Sequence, residues 1–477
     1  MMMTVPMNTR SLIALVLCVL TVACTSTEPT ADIAIVGGRV MDPASGTDAV
    51  RTVLIRDDRI VGITDRSAPV AGRVIDATGL VVAPGFVDIL AHIPTDAEAQ
   101  RFKIMDGVTT VISMHGGPVD IDGWYDAFEA EGSLVNYGTT VGHSEIRQAA
   151  GVTDRYAPAS EKQIETMRPI AAEAIEAGAL GIGFGINYVP GASYEEVVAM
   201  FGVAADHDVP AHVHSRHKGS IFPGTIVQSV QELIAAAAIT GASTQVVHLA
   251  SSGVGSMKAC LSMIEGARAH GVDIMADIYP YPANSTSLES ALYDEGWQER
   301  FGGITYDSIM LVETGERLTE ETFRYWREEG ATIITFFIPK EEIVMALQNP
   351  DVMVASDGVI THGKGHPRGA GSFSRVLGHF AREEGVITLM EGLKKITIMP
   401  TQRIERASEA MKQRGRIAVG AYADITVFDP TTIIDRATFR EPAQYSEGIY
   451  YVLVNGTLVV DNGELVASTT PGRPVRR

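Results

Sequence analysis

Hydrophobic and polar positions follow two textures along this chain. From Ala31 to Ala83 the segments ADIAIVGGRVMD, TVLIRDDRIVGI and GRVIDATGLVV alternate or run apolar between Gly and Asp turns, which predicts strands. The C-terminal part has the same texture in GRIAVGAYADITVFDP and VLVNGTLVVDNGELV. Between Pro84 and Ser408, short apolar runs alternate with 3.6-residue periodicity. Helices are expected over Ser160–Ala177, Ser193–His207, Ile226–Thr240 and Val254–His270. Strands are expected over Ala179–Gly185, Val209–His214, Ser243–His248, Val272–Ile278 and Val352–Ser356. Strands alternating with helices predict an α/β chain with a (β/α)8, TIM-like barrel over 84–408. The β-rich ends, 31–83 and 409–477, are expected to form one small β-sandwich.

The first 30 residues stand outside this pattern. Arg10 precedes an apolar run, Leu12–Leu20, too short to span a bilayer stably, and L-T-V-A-C follows. Residues 1–23 read as a signal peptide of lipoprotein type, with lipid on Cys24 and a tether over 24–30. An ordinary secretory signal cut nearby is the alternative. Both place the mature chain on the periplasmic side of a bacterial membrane, one lipid-anchored and one soluble.

Composition narrows the function classes. The chain has 477 residues, 45% of them hydrophobic, and a formal net charge of −20. That charge argues against nucleic acid as a partner, and against membrane contact by any route other than a lipid anchor. Of three cysteines, Cys18 and Cys24 lie in the leader, which leaves Cys260 alone on a helix as a small buried residue and excludes a disulfide framework.

Histidines fall at the ends of apolar runs. His92 follows Phe86–Leu90, His115 follows Val108–Met114, His212 and His214 end V-P-A-H-V-H, and His248 ends T-Q-V-V-H. Imidazoles converging from successive strand ends suit a hydrolytic metal site. One tightly held zinc is expected on His115, His212 and His248, with His92 and His214 as reserve ligands for a weaker second site. Asp357 ends V-M-V-A-S-D-G, where no helical pattern directly follows. Trp124 and Tyr125 read as core.

The segment P-G-F-V-D…H followed by D-G-V-T-T-V resembles the amidohydrolase superfamily. The usual form is P-G-[FL]-[IV]-D-x-H-x-H, and here its first histidine is Leu90. V-G-H-S-E-I-R, D-I-Y-P-Y-P-A-N-S-T-S-L, S-D-G, H-P-R-G-A-G-S-F-S-R-V-L-G and D-R-A-T-F-R-E-P are together similar to the N-acyl-D-amino-acid deacylase, or D-aminoacylase, branch. The resemblance implies a zinc-dependent hydrolase of a small-molecule amide. It matches His212 and His248 to two barrel ligands. It makes Asp357 the group that takes a proton from water and returns it to the leaving nitrogen. Arg368 and Tyr281 match the residues that hold the substrate carboxylate, with Ser287 assisting. His143 either lines the cleft or holds a loop, and His366 supports Arg368. With a one-residue gap His115 replaces the branch's cysteine ligand; without it Gly116 aligns there. His212-Val213-His214 departs from H-x-R, and Ala250 stands where a lysine is expected. Two alternatives remain open: a dipeptide or cyclic-amide hydrolase on the same barrel, and a catalytically impaired scaffold or binding lipoprotein.

Overall fold

The computed structural model describes residue 1 and residues 31–65, 69–91, 94–220, 224–466 and 469–477. The signal peptide, Cys24, the tether and His92 lie outside the described residues.

Both ends of the chain meet in one nine-stranded sheet. Val81–Pro84 pairs in parallel with Ala31–Asp42 and antiparallel with Ile425–Phe428, which joins the N-terminal strands to the C-terminal ones. Ile35, Val53, Ile55, Val82, Ile425 and Leu453 close a core of their own on this sheet.

The middle of the chain forms two arcs of parallel strand. One joins Phe86–Asp88, Val108–Ser113 and Asn136–Thr139. The other runs Val141–Gly142, Ile182–Gly185, Ala211–His214, Thr244–Val246, Ile274–Ile278 and Val352–Val354. Asn136–Thr139 and Val141–Gly142 are one strand interrupted at Thr140, so the arcs make eight strands in chain order. The last returns to the first where the Asp357 amide donates to Leu90 O at 2.6 Å. Helices cover the outside, and their starts follow the expected chemistry. Ser160 and Ser193 each accept from a backbone N–H three residues on, opening Glu161–Glu176 and Tyr194–Asp206.

Between the last two barrel strands the chain makes an insertion that periodicity did not anticipate. Ala283–Ser287, Ile309–Leu311 and Thr332–Phe336 form an antiparallel sheet. Leu288, Trp297, Phe301 and Phe323 give it a separate core. This insertion stands over the carboxyl ends of the barrel strands and walls one side of the cleft described next.

Candidate active site

Three imidazoles meet at the carboxyl ends of three strands. His115 lies two residues past Val108–Ser113, His214 ends Ala211–His214, and His248 lies two past Thr244–Val246. One ring nitrogen from each falls within 4.8 Å of the other two. His115 Nε2 and His214 Nδ1 are 3.1 Å apart. Gly183 makes this approach possible, since a Cβ there would sit 2.7 Å from the carbonyl carbon of His115.

His212 is outside the group. It lies on the same strand face as His214 but one layer deeper, fully buried, and neither ring nitrogen has a hydrogen-bond partner among the described residues. The expected set of His115, His212 and His248 therefore becomes His115, His214 and His248. Leu90 is packed in the core and bridges to Ser113, so the branch's first histidine has no replacement there.

The surroundings hold the His214 and His248 rings neutral. Burial, then the neighbouring His248 and Lys218, pushes the His214 imidazole well below its ordinary value. Burial takes His248 down to about 3, opposed by Asp357. Neutral imidazoles offer lone pairs, which is what a metal ligand must do. A tetrahedral zinc with Zn–N of 2.0–2.1 Å holds its donors about 3.3 Å apart. The 3.1 Å spacing of His115 and His214 is close to that, so the residues fit such an ion.

Supporting groups fix each ring. The His248 backbone sits in the left-handed region, φ 37°, and its N–H donates to Asp277 Oδ1 at 2.7 Å. Its Nδ1 meets Ser251 Oγ at 3.0 Å, which leaves Nε2 for the group. His214 Nε2 lies 2.6 Å from the Asn187 amide, whose other polar atom, Oδ1, is buried without a partner among the described residues. Turning that amide over lets Oδ1 accept from Nε2–H and leaves the Nδ1 lone pair facing His115. Asn187→Ala should then weaken metal retention about 10–100-fold. Competition against a chelator measures it, and retention equal to the parent's would remove Asn187 from this role.

A cleft of about 680 Å³ opens over the three rings. Asp357 reaches it from the end of Val352–Val354 with φ 51°, and its Oδ2 pairs with Arg368 Nη2 at 2.9 Å. Arg368 also stacks on Tyr279 at 4.3 Å, while its Nε and Nη1 are buried without partners among the described residues. His366 holds the turn before it, accepting from the Arg368 N–H at 3.0 Å and meeting Ala283 O at 3.0 Å. Ser287 lines the cleft.

Tyr281 does not line it. Its hydroxyl donates to Asp435 at 3.1 Å, beside Arg375, and Tyr279 takes the place in the cleft wall. Asp277 already points inward to His248, so the residue two further on could have been read from alternation. His143 is likewise outside the cleft. It stacks on Phe184 and meets Glu196 at 2.7 Å, together with Arg147, and so holds the fold. Of its two readings the loop-holding one matches this geometry. Ala250 is buried and carries no charge. Burial pushes the Cys260 thiol up to about 12, which leaves it inert as a nucleophile. Trp124 and Tyr125 pack in the core.

The model of the amidohydrolase family described as Amidohydro_3 matches residues 142–460. The chain is 34% identical to an N-acyl-D-glutamate deacylase of Alcaligenes xylosoxydans xylosoxydans, covering 94% of this chain and 96% of that one. It is 31% identical to a D-aminoacylase of the same organism, over 90% and 94%. Among solved structures, the N-acyl-D-glutamate deacylase of Bordetella bronchiseptica, complexed with zinc and a phosphonate inhibitor, superposes with a TM-score of 0.82 at 30% identity, covering 94% of this chain and all of that one. With the family model spanning more than half of its length and such relatives spanning nearly all of it, this chain belongs to the amidohydrolase family, on the branch of the N-acyl-D-amino-acid deacylases.

Proposed function

We propose that this protein is a zinc-dependent deacylase that hydrolyses the amide bond of N-acyl amino acids. The observation that carries the reading is the meeting of His115, His214 and His248 with Asp357 and Arg368 in one cleft. A zinc ion on the three imidazoles would polarise the acyl carbonyl and bring the pKa of water down to about 7. Asp357 takes a proton from the attacking water and delivers it to the amine nitrogen as the C–N bond breaks. Arg368 offers its unpartnered donors to the carboxylate of the amino acid, an anion its planar guanidinium suits. The Tyr279 ring holds that guanidinium in place, and Ser287 adds a hydroxyl on the same wall. Burial of the His214 and His248 rings excludes water from all but the open side of the site.

Leu90 and the three-histidine group support a single tight ion. A solved D-aminoacylase whose binuclear centre is described as activated by one metal and attenuated by the second superposes with a TM-score of 0.79 at 28% identity. The test is metal analysis of the purified protein, with a panel of N-acetyl-D- and N-acetyl-L-amino acids and dipeptides. Stoichiometric zinc is expected, with turnover of at least one N-acyl amino acid that chelation abolishes and zinc restores. A zinc-loaded protein that turns over dipeptides and no N-acyl amino acid would overturn the assignment.

A further inference from the structure

Buried lysines in this chain are satisfied, with one exception. Lys103 donates to Asp88 at 3.0 Å and to Ser356 Oγ at 2.6 Å. Lys395 donates to the carbonyls of Asn349 and Val352. Lys218 is 5% exposed and lines the cleft, yet its ammonium has no hydrogen bond or ion pair among the described residues. The Phe301 ring lies 5.6 Å from it. Burying a cation without a counter-ion is costly, and the chain meets that cost nowhere else among its lysines.

The ammonium is nevertheless held deliberately. Lys218 lies in the loop after Ala211–His214, and backbone bonds on both sides tie that loop down. The His217 N–H donates to Ser229 Oγ at 2.8 Å, the Gly219 N–H to Ser252 O at 2.8 Å, and the Ile226 N–H to Gly219 O at 2.9 Å. Gly219 takes φ +68°, and a Cβ there would meet Arg300 O at 2.5 Å, so the turn that aims Lys218 needs glycine. The charge of Lys218 reaches His214, and the charges of Asp357 and Arg368 reach Lys218 in turn.

Charge in the cleft is unbalanced. Arg368 is already paired with Asp357. Glu313, the other carboxylate on the wall, sits exposed at the rim. Lys218 is therefore a buried amine whose positive charge, when it carries one, has no carboxylate of its own among the described residues. Such a site calls for an anion of one negative charge, small enough to share the cleft with an amide over the histidines. Burial depresses the ammonium to about 7, with Asp357 opposing, and an arriving anion would favour the charged form.

We propose that Lys218 is a specificity-determining residue that, with Arg368, clamps the free carboxylate of the substrate between two strand-end loops of the barrel. This rests on the N-acyl amino acid reading above, and makes a free carboxylate a requirement of the site. Ala250, at the end of the next strand, offers no charge, so the second cation enters from the preceding loop.

The test is binding to the zinc-loaded Asp357→Asn variant, read in a time short against its residual turnover. N-acetyl-leucine, both enantiomers, and its carboxamide are the probes. With Lys218 present the free acid should bind at least about tenfold tighter than the carboxamide, the scale of one charge-assisted hydrogen bond. Lys218→Met should cut that preference at least about threefold while metal content stays unchanged, the remainder belonging to Arg368, and Lys218→Arg should restore most of it. A preference for the free acid that is undiminished in Lys218→Met overturns the proposal, as does a parent that binds acid and carboxamide alike. Failure of the deacylase reading is a separate result: the wild-type protein then turns over no N-acyl amino acid, while the variants still report the carboxylate preference.

Discussion

His214→Ala should leave the purified protein without its zinc and without activity, whereas His212→Leu should keep both. The two residues are neighbours on one strand face, and only depth separates them. His214 ends the strand with Nδ1 3.1 Å from His115 Nε2, within the group of three. Removing it deletes a ligand, so the loss of affinity should exceed the 10–100-fold expected for removing a supporting hydrogen bond. His248→Ala should behave in the same way, since its Nε2 is the donor left free by Ser251. His212 has two buried nitrogens without partners among the described residues, each costing on the order of 1–3 kcal/mol. Leucine is close to it in size and carries no polar atom, so His212→Leu should leave stability equal or slightly higher. Metal content per folded chain, with a thermal melt beside it, checks both. Zinc lost from the His212 variant and kept by the His214 variant would restore His212 as the ligand.

The difference between these two histidines shows where the sequence is legible and where it stops. Strand and helix rhythm was readable because burial imposes period 2 on strands and 3.6 on helices. Glu161–Glu176 starts beside the Ser160 cap, and Ile274–Ile278 falls within the run expected for it. His115 and His248 were readable because each is the sole histidine after its strand. For His212 and His214, alternation puts both inward, and the level at which the strand stops decides which one reaches the rim. H-x-R is in fact satisfied two residues further on, by His214-Ser215-Arg216, and that register was the available signal. The insertion over 283–338 left only an indirect trace. Some 70 residues separate the last two barrel strands, well beyond one βα unit. Lys218 left none, because a single lysine in a loop carries no pattern until its burial and missing partners are seen. Tyr281 was placed by motif and His143 had two readings, and contacts far away in sequence, with Asp435 and Glu196, turn both away from the cleft.

Asp357→Asn should lower kcat by about 10² or more, with bound zinc retained. Asp357 is not one of the three grouped ligands, so the amide should leave the metal in place. Its backbone is fixed independently of the side chain, by the N–H donated to Leu90 O at 2.6 Å, so the shape of the strand end should survive. What changes is the base, and with it the partner of Arg368. The guanidinium is 4% exposed and meets Asp357 Oδ2 at 2.9 Å, so the free enzyme holds it partly neutralised. An asparagine leaves that charge more available, and KM for a free carboxylic acid should stay equal or fall as kcat drops. Arg368→Met should do the reverse, raising KM for free acids and much less for carboxamides. Because the two side chains touch, their effects should not add, and the double variant should fall short of the product of the singles. Steady-state kinetics on the four proteins separates these outcomes. A kcat within tenfold of wild type in Asp357→Asn would move the proton-transfer role to another group. Additive effects would mean that the ion pair has no part in setting how Arg368 meets the substrate.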